Sequence, residues 1–343
     1  MAKLILHDGT TTIGNSFGFQ KSIAGEVVFA TGMTGYPQAL TDPSFAGQIL
    51  ILTYPLIGSY GVPNPKEFES DRIQISGLIV SDYIDTPSHH ESVMSLGKWL
   101  TKEKVPALVI KDTRFLTKHL REQGVMLGKI VFDKDIPFVD PNITNLVAKV
   151  STKKIIKDGK GKKTIVIIDC GAKRNIARCF NKRGVQTITV PWDYDPFEKK
   201  IPFDGLFISN GPGDPKMVDK TIATVKKALH KKMPTLGICL GNQILALAAG
   251  GDTYKLPYGH RSQNQPCTIQ TDKRCYITTQ NHGFAVGKVP KGFVPWFINA
   301  NDNTVEGIIH NKEPFMAVQF HPEATPGPKD TEWIFDYFLE KIK

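Results

Sequence analysis

The sequence predicts an α/β protein in two parts: a C-terminal doubly wound, mostly parallel sheet, preceded by a smaller α+β domain. Three observations lead there. After residue 164, apolar runs alternate with helical stretches, the pattern of parallel strands covered on both faces. Before residue 150, runs rich in β-branched residues come first and helices follow in mixed order. Between them STKKIIKDGKGKKT carries six lysines and two glycines and can bury little. The domains are therefore set at 1–150 and 164–343, joined by a Lys/Gly-rich linker at 151–163. A length of 343 residues accords with two domains.

The elements follow in order. The first domain offers strands EVVFAT (26–31), QILILTYP (48–55) and RIQISGLIVSDY (72–83). GMTGYPQALTDPS, between the first two, reads as a Gly/Pro loop. A helix near 91–103, the strand PALVI, a helix near 113–123 and the strand VMLGKIVF complete it. In the second domain TIVIIDCG is an apolar strand ended by Gly171, and NIARCFNKRG is helical up to Gly184. VQTITVPW, DGLFISN and PTLGIC are further strands, with a helix near 216–231 and another from Leu240 to about Ala249. Strands at Cys267–Thr271, Ile277–Gln280 and Phe315–Phe320 lead to a final amphipathic helix, TEWIFDYFLEKIK.

Composition narrows the function classes. At 41% hydrophobic and 22% charged, the chain has the make-up of a globular protein. No apolar run approaches the roughly 20 residues of a membrane helix. MAKLILHDGT reaches Asp8 too early for a signal peptide. The five cysteines are an odd number with no C-x-x-C pair, which argues against a disulfide framework or a zinc ribbon. A reducing, cytoplasmic setting is expected. The net charge of +10 is read as a lysine-rich solvated surface, because no aromatic-basic motif accompanies it. Neither a nucleic acid nor a membrane is expected as partner.

The chemistry centres on TLGICLGNQ. Gly237 and Gly241 flank Cys239 two residues to either side, at a strand-to-helix junction. This G-x-C-x-G is the thiol form of the nucleophile elbow, a tight turn that bulky neighbours would obstruct. Leu240 would turn its N–H toward the site, and the helix start would favour thiolate. A thiolate mechanism needs a proton acceptor and a group to orient it. Among nine histidines, His321 ends an apolar strand and Glu323 follows at i+2, on the same side of an extended segment. Pro322 keeps His321 out of helix. Cys239, His321 and Glu323 would form a triad of nucleophile, base and orienter. ISNGPGDP follows a strand of the same sheet, and its glycines let backbone N–H groups approach a substrate; one of them, with Leu240, would make an oxyanion hole. There is no Walker loop, H-E-x-x-H or EF-hand; GKGKKT has the wrong spacing for a phosphate loop, and His89-His90 is too isolated to argue for metal.

GICLGNQ, SNGPGDP and QFHPE together resemble the class I (triad) glutamine amidotransferases. GMTGYPQALTDPS, TYPLIGSYG, GHR at 259–261 and NHGFAV at 281–286 narrow the resemblance to the small, glutamine-hydrolysing chains of carbamoyl-phosphate synthase, over nearly the whole chain. The resemblance implies Cys239 as nucleophile, His321 as base and Glu323 as its partner. It implies that Ser44, Gly211, Gly213, Leu240, Gln243, Asn281, Gly283 and Phe284 contact L-glutamine, with Gly211 and Leu240 forming the oxyanion hole. It implies no metal or cofactor in this chain; ATP and Mg belong to a large synthetase chain, the expected partner, which receives the ammonia for carbamoyl phosphate on the pyrimidine and arginine routes. Two positions depart from the family pattern: Asn242 stands where a histidine is common, and Gln265 replaces the histidine of N-H-P. Neither belongs to the triad. Other amidotransferase chains, a non-catalytic scaffold and a cysteine peptidase are the rival readings. The first domain, the intact triad and the NHGF stretch weigh against them in turn.

Overall fold

A computed structural model describes residues 2–342 as two compact units, one ending at Ile143 and the other beginning at Thr144. The division thus falls a little before the expected boundary at 150. The first unit contains β1 (Ala2–Leu6), β2 (Thr11–Ser16), β3 (Ile23–Ala30), α1 (Tyr36–Thr41), β4 (Gln48–Leu52), β5 (Gly77–Val80), α2 (Leu96–Lys102), β6 (Ala107–Val109), α3 (Thr113–Gln123) and β7 (Met126–Val131). The strands pair in the order β1-β2-β6-β5-β4-β3-β7, and β7 pairs back onto β1. The run β3–β4–β5–β6 is parallel.

Alternate residues of these strands feed two cores. Val27, Ile49, Ile51 and Ile79 pack with Leu4, Leu116 and Ile130. Val28, Leu50, Leu78 and Val80 pack with Leu96, Trp99 and Leu100 of α2. Burial on both faces explains the unbroken apolar runs in the sequence. GMTGYPQALTDPS is not a plain loop. Pro37 sits in the first turn of α1, where its missing N–H costs nothing, and the Asp42 side chain caps the N–H of Ser44 in the short 3-10 helix Pro43–Phe45.

The second unit contains α4 (Val147–Val150), β8 (Ile156–Asp158), β9 (Lys163–Asp169), α5 (Arg174–Asn181), β10 (Val185–Pro191), β11 (Gly205–Ile208), α6 (Asp219–His230), β12 (Thr235–Ile238) and α7 (Leu240–Ala248). It continues with β13 (Asp252–Ile269), β14 (Cys275–Lys288), β15 (Phe293–Asn299), β16 (Val305–His310), β17 (Phe315–Val318) and α8 (Trp333–Glu340). One sheet runs β14-β13-β15-β16-β17-β12-β11-β9-β10-β8.

Its centre, β10-β9-β11-β12-β17, is parallel and doubly wound. Val225 and Ala228 of α6 and Ile244 and Leu245 of α7 cover Val166, Ile168 and Ile208 on one face. Ile176 and Phe180 of α5 and Phe335 and Phe338 of α8 cover Ile165, Ile167 and Phe207 on the other. The sheet is less parallel than expected, because β13 to β16 extend one side and β8 the other, all antiparallel. β8 lies in the stretch expected as linker: its side chains are exposed, yet its backbone pairs with β10.

Candidate active site

Four parallel strands end on one edge of the second unit's sheet, where sites form in this architecture. The loops leaving β9, β11, β12 and β17 carry Lys173, Gly211, Cys239 and His321.

Cys239 is the elbow. It caps α7 with φ 55° and ψ −105°, a left-handed conformation rare for a side-chain-bearing residue and worth about 1–3 kcal/mol of strain. Its N–H bonds to the Val318 carbonyl at 2.8 Å, which fixes the turn against β17. The glycines make the turn possible. A Cβ on Gly237 would stand 2.5 Å from the Gly241 carbonyl oxygen, and one on Gly241 would run into the carbonyl of Ile208. Leu240 opens α7, so its N–H belongs to the first turn, whose donors have no partner within the helix. The positive end of α7 thereby meets the sulfur.

Cys239 Sγ lies 3.6 Å from the Asn281 carbonyl, its acceptor on β14. His321 Nδ1 lies 2.6 Å from Glu323 Oε1, both side chains fully buried. The N–H of His321 donates to the Thr279 carbonyl at 2.9 Å, tying the base to β14. Its Nε2 has no hydrogen-bond partner among the described residues other than the Cys239 thiol, which interacts with the ring. Burial pushes the imidazole down, but the Glu323 charge and Cys239 outweigh it and lift it to about 10. Burial pushes Glu323 up, but Lys173 and His321 outweigh it and hold the carboxyl at about 2. Lys173 is the residue that sequence reasoning missed. Its buried Nζ lies 3.1 Å from Glu323 Oε1 and also donates to the Ala324 carbonyl. Asn175 Nδ2 donates to the Glu323 carbonyl at 2.6 Å. Lys173 follows β9 on the same sheet edge as the elbow, but a lysine there forms no motif with Glu323.

SNGPGDP is held beside the elbow. Ser209 Oγ accepts from the Cys170 N–H at 2.9 Å, and Asn210 Oδ1 accepts from the Lys173 N–H at 3.0 Å. A Cβ on Gly211 would strike the Cys170 carbonyl and lie 3.0 Å from Leu240 Cδ2. Gly213 has φ 82° and needs to be glycine for that reason. Gln243, one turn along α7, donates to the Phe284 carbonyl at 2.8 Å and to Gln319 Oε1 at 3.2 Å. Gly283 packs under Arg261, whose Nη2 a Cβ would approach to 3.1 Å. Of the expected residues, Cys239 reaches the Asn281 carbonyl, His321 reaches Glu323, Gln243 reaches the Phe284 carbonyl, and Gly211 lies against Leu240. Ser44 lies in the first unit, in the 3-10 turn capped by Asp42. Asn242 is fully buried and donates to Gln319 Oε1 at 3.1 Å, and Gln265 Oε1 accepts from Asn299 at 3.3 Å.

Known proteins resemble both units. A family described as glutamine amidotransferase class-I matches residues 166–341, and the CPSase domain of the carbamoyl-phosphate synthase small chain matches residues 4–130. The multifunctional protein URA2 of Saccharomyces cerevisiae is 49% identical over 100% of this chain and 18% of its own length. The human mitochondrial carbamoyl-phosphate synthase [ammonia] is 48% identical over 100% of this chain and 24% of its own. The multifunctional protein CAD of Squalus acanthias is 49% identical over 99% and 16%. The chain therefore spans less than a quarter of the length of these relatives. Among solved structures, a glutamine amidotransferase of Thermotoga maritima aligns with a TM-score of 0.40 at 18% identity, covering 52% of this chain and 83% of that one. No described helix is long and apolar enough to cross a membrane.

Proposed function

Since the chain belongs to the class I glutamine amidotransferases, we propose that it is the glutaminase part of a glutamine-hydrolysing carbamoyl-phosphate synthase. It converts L-glutamine to glutamate and ammonia, and the ammonia passes to a large synthetase chain. That chain joins it to bicarbonate with ATP and Mg, supplying carbamoyl phosphate to pyrimidine and arginine synthesis in the cytoplasm. The observation that carries the reading is the buried Cys239, His321 and Glu323 arrangement on one sheet edge, with Lys173 behind the carboxylate.

The chemistry runs on side chains alone. Cys239 Sγ attacks the side-chain amide carbon of glutamine as a thiolate, the proton already held by His321, whose charge Glu323 stabilises. The negative oxygen of the tetrahedral intermediate takes N–H bonds from Leu240 and Gly211; one such donor is typically worth about 3 kcal/mol. His321 gives its proton to the leaving nitrogen, the C–N bond breaks, and ammonia departs from a thioester. A water then gives a proton to His321 and attacks the thioester carbon, the C–S bond breaks, and glutamate leaves as the Cys239 thiolate is expelled. Gly213, Gln243, Asn281, Gly283 and Phe284 shape the glutamine pocket.

Glutamate release from labelled glutamine tests this. The wild-type chain should release glutamate slowly, and Cys239→Ala should stop it. Activity that survives that change would sink the triad assignment. Affinity capture with mass spectrometry tests the partner: a large ATP-using synthetase is expected, and recovery of an anthranilate-forming partner instead would overturn the pathway.

A further inference from the structure

Three strands of the antiparallel half bring His260, Gln280, His282 and Glu306 together inside the second unit, all buried. His260 Nδ1 lies 3.1 Å from Glu306 Oε1 and 3.0 Å from Gln280 Oε1. His282 Nε2 lies 2.8 Å from Gln280 Oε1 and 3.9 Å from Glu306 Oε1. The inner atoms of His260, His282 and Glu306 all lie within 4.8 Å of one another.

The outer nitrogens of both rings are committed. His260 Nε2 faces Asp302 Oδ2 at 2.8 Å, and His282 Nδ1 faces the Phe284 carbonyl at 2.8 Å. A carboxylate and a carbonyl can only accept, so each outer nitrogen carries the hydrogen. In neutral rings both inner nitrogens then present lone pairs. Two lone pairs, a carboxylate oxygen and an amide oxygen converge, all of them acceptors; Glu306 Oε1 also takes the Thr304 hydroxyl at 3.0 Å and Asn299 Nδ2 at 3.4 Å, while Glu306 Oε2 has no partner among the described residues. Such a centre requires positive charge.

One proton on His260 answers only part of the requirement. It would bridge His260 to Glu306 and Gln280, leaving the His282 lone pair against Gln280 Oε1 and Glu306 Oε2 unserved. A dication meets all four atoms at once. Bonds of about 2.0–2.1 Å in a tetrahedron set ligands about 3.3 Å apart, close to most of the separations here. Histidine ligands whose second nitrogen is held by a carboxylate or a backbone carbonyl are the usual outer shell of such a centre. Two nitrogens and two oxygens suit zinc better than calcium or magnesium, which take oxygen.

We propose that His260, His282, Glu306 and Gln280 form a structural binding site for a divalent cation of the zinc type. The centre clamps β13, β14 and β16 together. β14 carries the Asn281 carbonyl that faces the Cys239 sulfur, so the metal would hold the nucleophile's surroundings while taking no part in hydrolysis. It would add a metal where the resemblance implies none, and it stands whether or not the thioester reading holds. His89, His90 and Glu91 form a second cluster, but an exposed one.

The test is metal content of the purified full chain by mass spectrometry, with cobalt(II) titration followed by visible absorption. A His89→Ala/His90→Ala background removes the exposed cluster. About one zinc per chain and a tetrahedral cobalt spectrum are expected. Glu306→Gln, close in shape to the native residue, should abolish both, and Asp302→Asn should weaken cobalt binding about 10- to 100-fold. Cys239→Ala should keep the metal, which separates this site from the nucleophile. A chain that is metal-free, binds neither zinc nor cobalt, and has an unfolding midpoint unmoved by zinc would overturn the proposal. That result would assign the centre to a proton on His260 or to Gln280 turned end for end.

Discussion

His321 Nδ1 lies 2.6 Å from Glu323 Oε1, with both side chains sealed from solvent. The pair makes stability depend on pH in a stated direction. Glu323 is depressed from 4.5 to about 2, so its contribution is present above 4.5 and is lost as pH falls through 2. His321 is raised from 6.5 to about 10, so its contribution is full below 6.5 and is lost as pH rises through 10. Urea unfolding across pH should show both contributions at full strength between about 4.5 and 6.5. Glu323→Gln should remove the acid loss and move the alkaline loss toward neutral pH. An unchanged profile would mean that the carboxylate does not hold the imidazole.

Lys173→Met tests the cation behind the carboxylate. Removing one member of a buried pair leaves the other charge without its partner, at a cost of about 3–5 kcal/mol. Lys173→Met/Glu323→Gln should recover part of that loss, because no buried charge is then stranded. Strictly additive losses in urea melts would contradict the pairing.

Gly241→Ala sets two effects against each other. Alanine gains about 1 kcal/mol of helix propensity. The new methyl, however, meets the Ile208 carbonyl, which is backbone and cannot rotate away. Overpacking of this kind costs about 1–3 kcal/mol, so the collision wins and the net change is destabilising. Glutamate release should fall with it as the elbow shifts. A thermal midpoint at or above wild type would refute the close approach.

Gln243→Ala removes the donor that anchors the Phe284 carbonyl. An unsatisfied buried acceptor costs about 1–3 kcal/mol. The expected outcome is a rise of about tenfold in KM for glutamine, with kcat changed only a few-fold. A fall in kcat at constant KM would place Gln243 at the reacting atoms instead.

The triad was readable in the sequence because its signals are local. G-x-C-x-G records the crowding around one turn, and H-P-E records a contact between residues two apart. Lys173 was not readable, since its partners Glu323 and Ala324 lie far along the chain and a lysine after a strand carries no pattern of its own. The parallel centre was readable because short apolar runs rich in β-branched residues alternate with helical stretches, the pattern of strands covered on two faces. The sequence suggests two short strands where the long β13–β14 hairpin stands, because Pro257, Gly259 and Pro266 interrupt β13 as a loop would. Its backbone tolerates them through register shifts that no local pattern announces. In the first unit, α1 was hidden by Pro37, a residue that suits a helix start as well as a loop.

Those register shifts have a consequence for what the hairpin can absorb. Two of the three fall between Lys255 and His260 and between Ser262 and Gln265, so the pairs His260–His282, Arg261–Asn281 and Ser262–Gln280 form a short block framed by irregular backbone. Within the block, one added residue would turn His282 and Gln280 to the opposite face. Outside it, the bulges work as expansion joints. The hairpin's tip and its base can lengthen, shorten or bend while the block between them keeps its alignment.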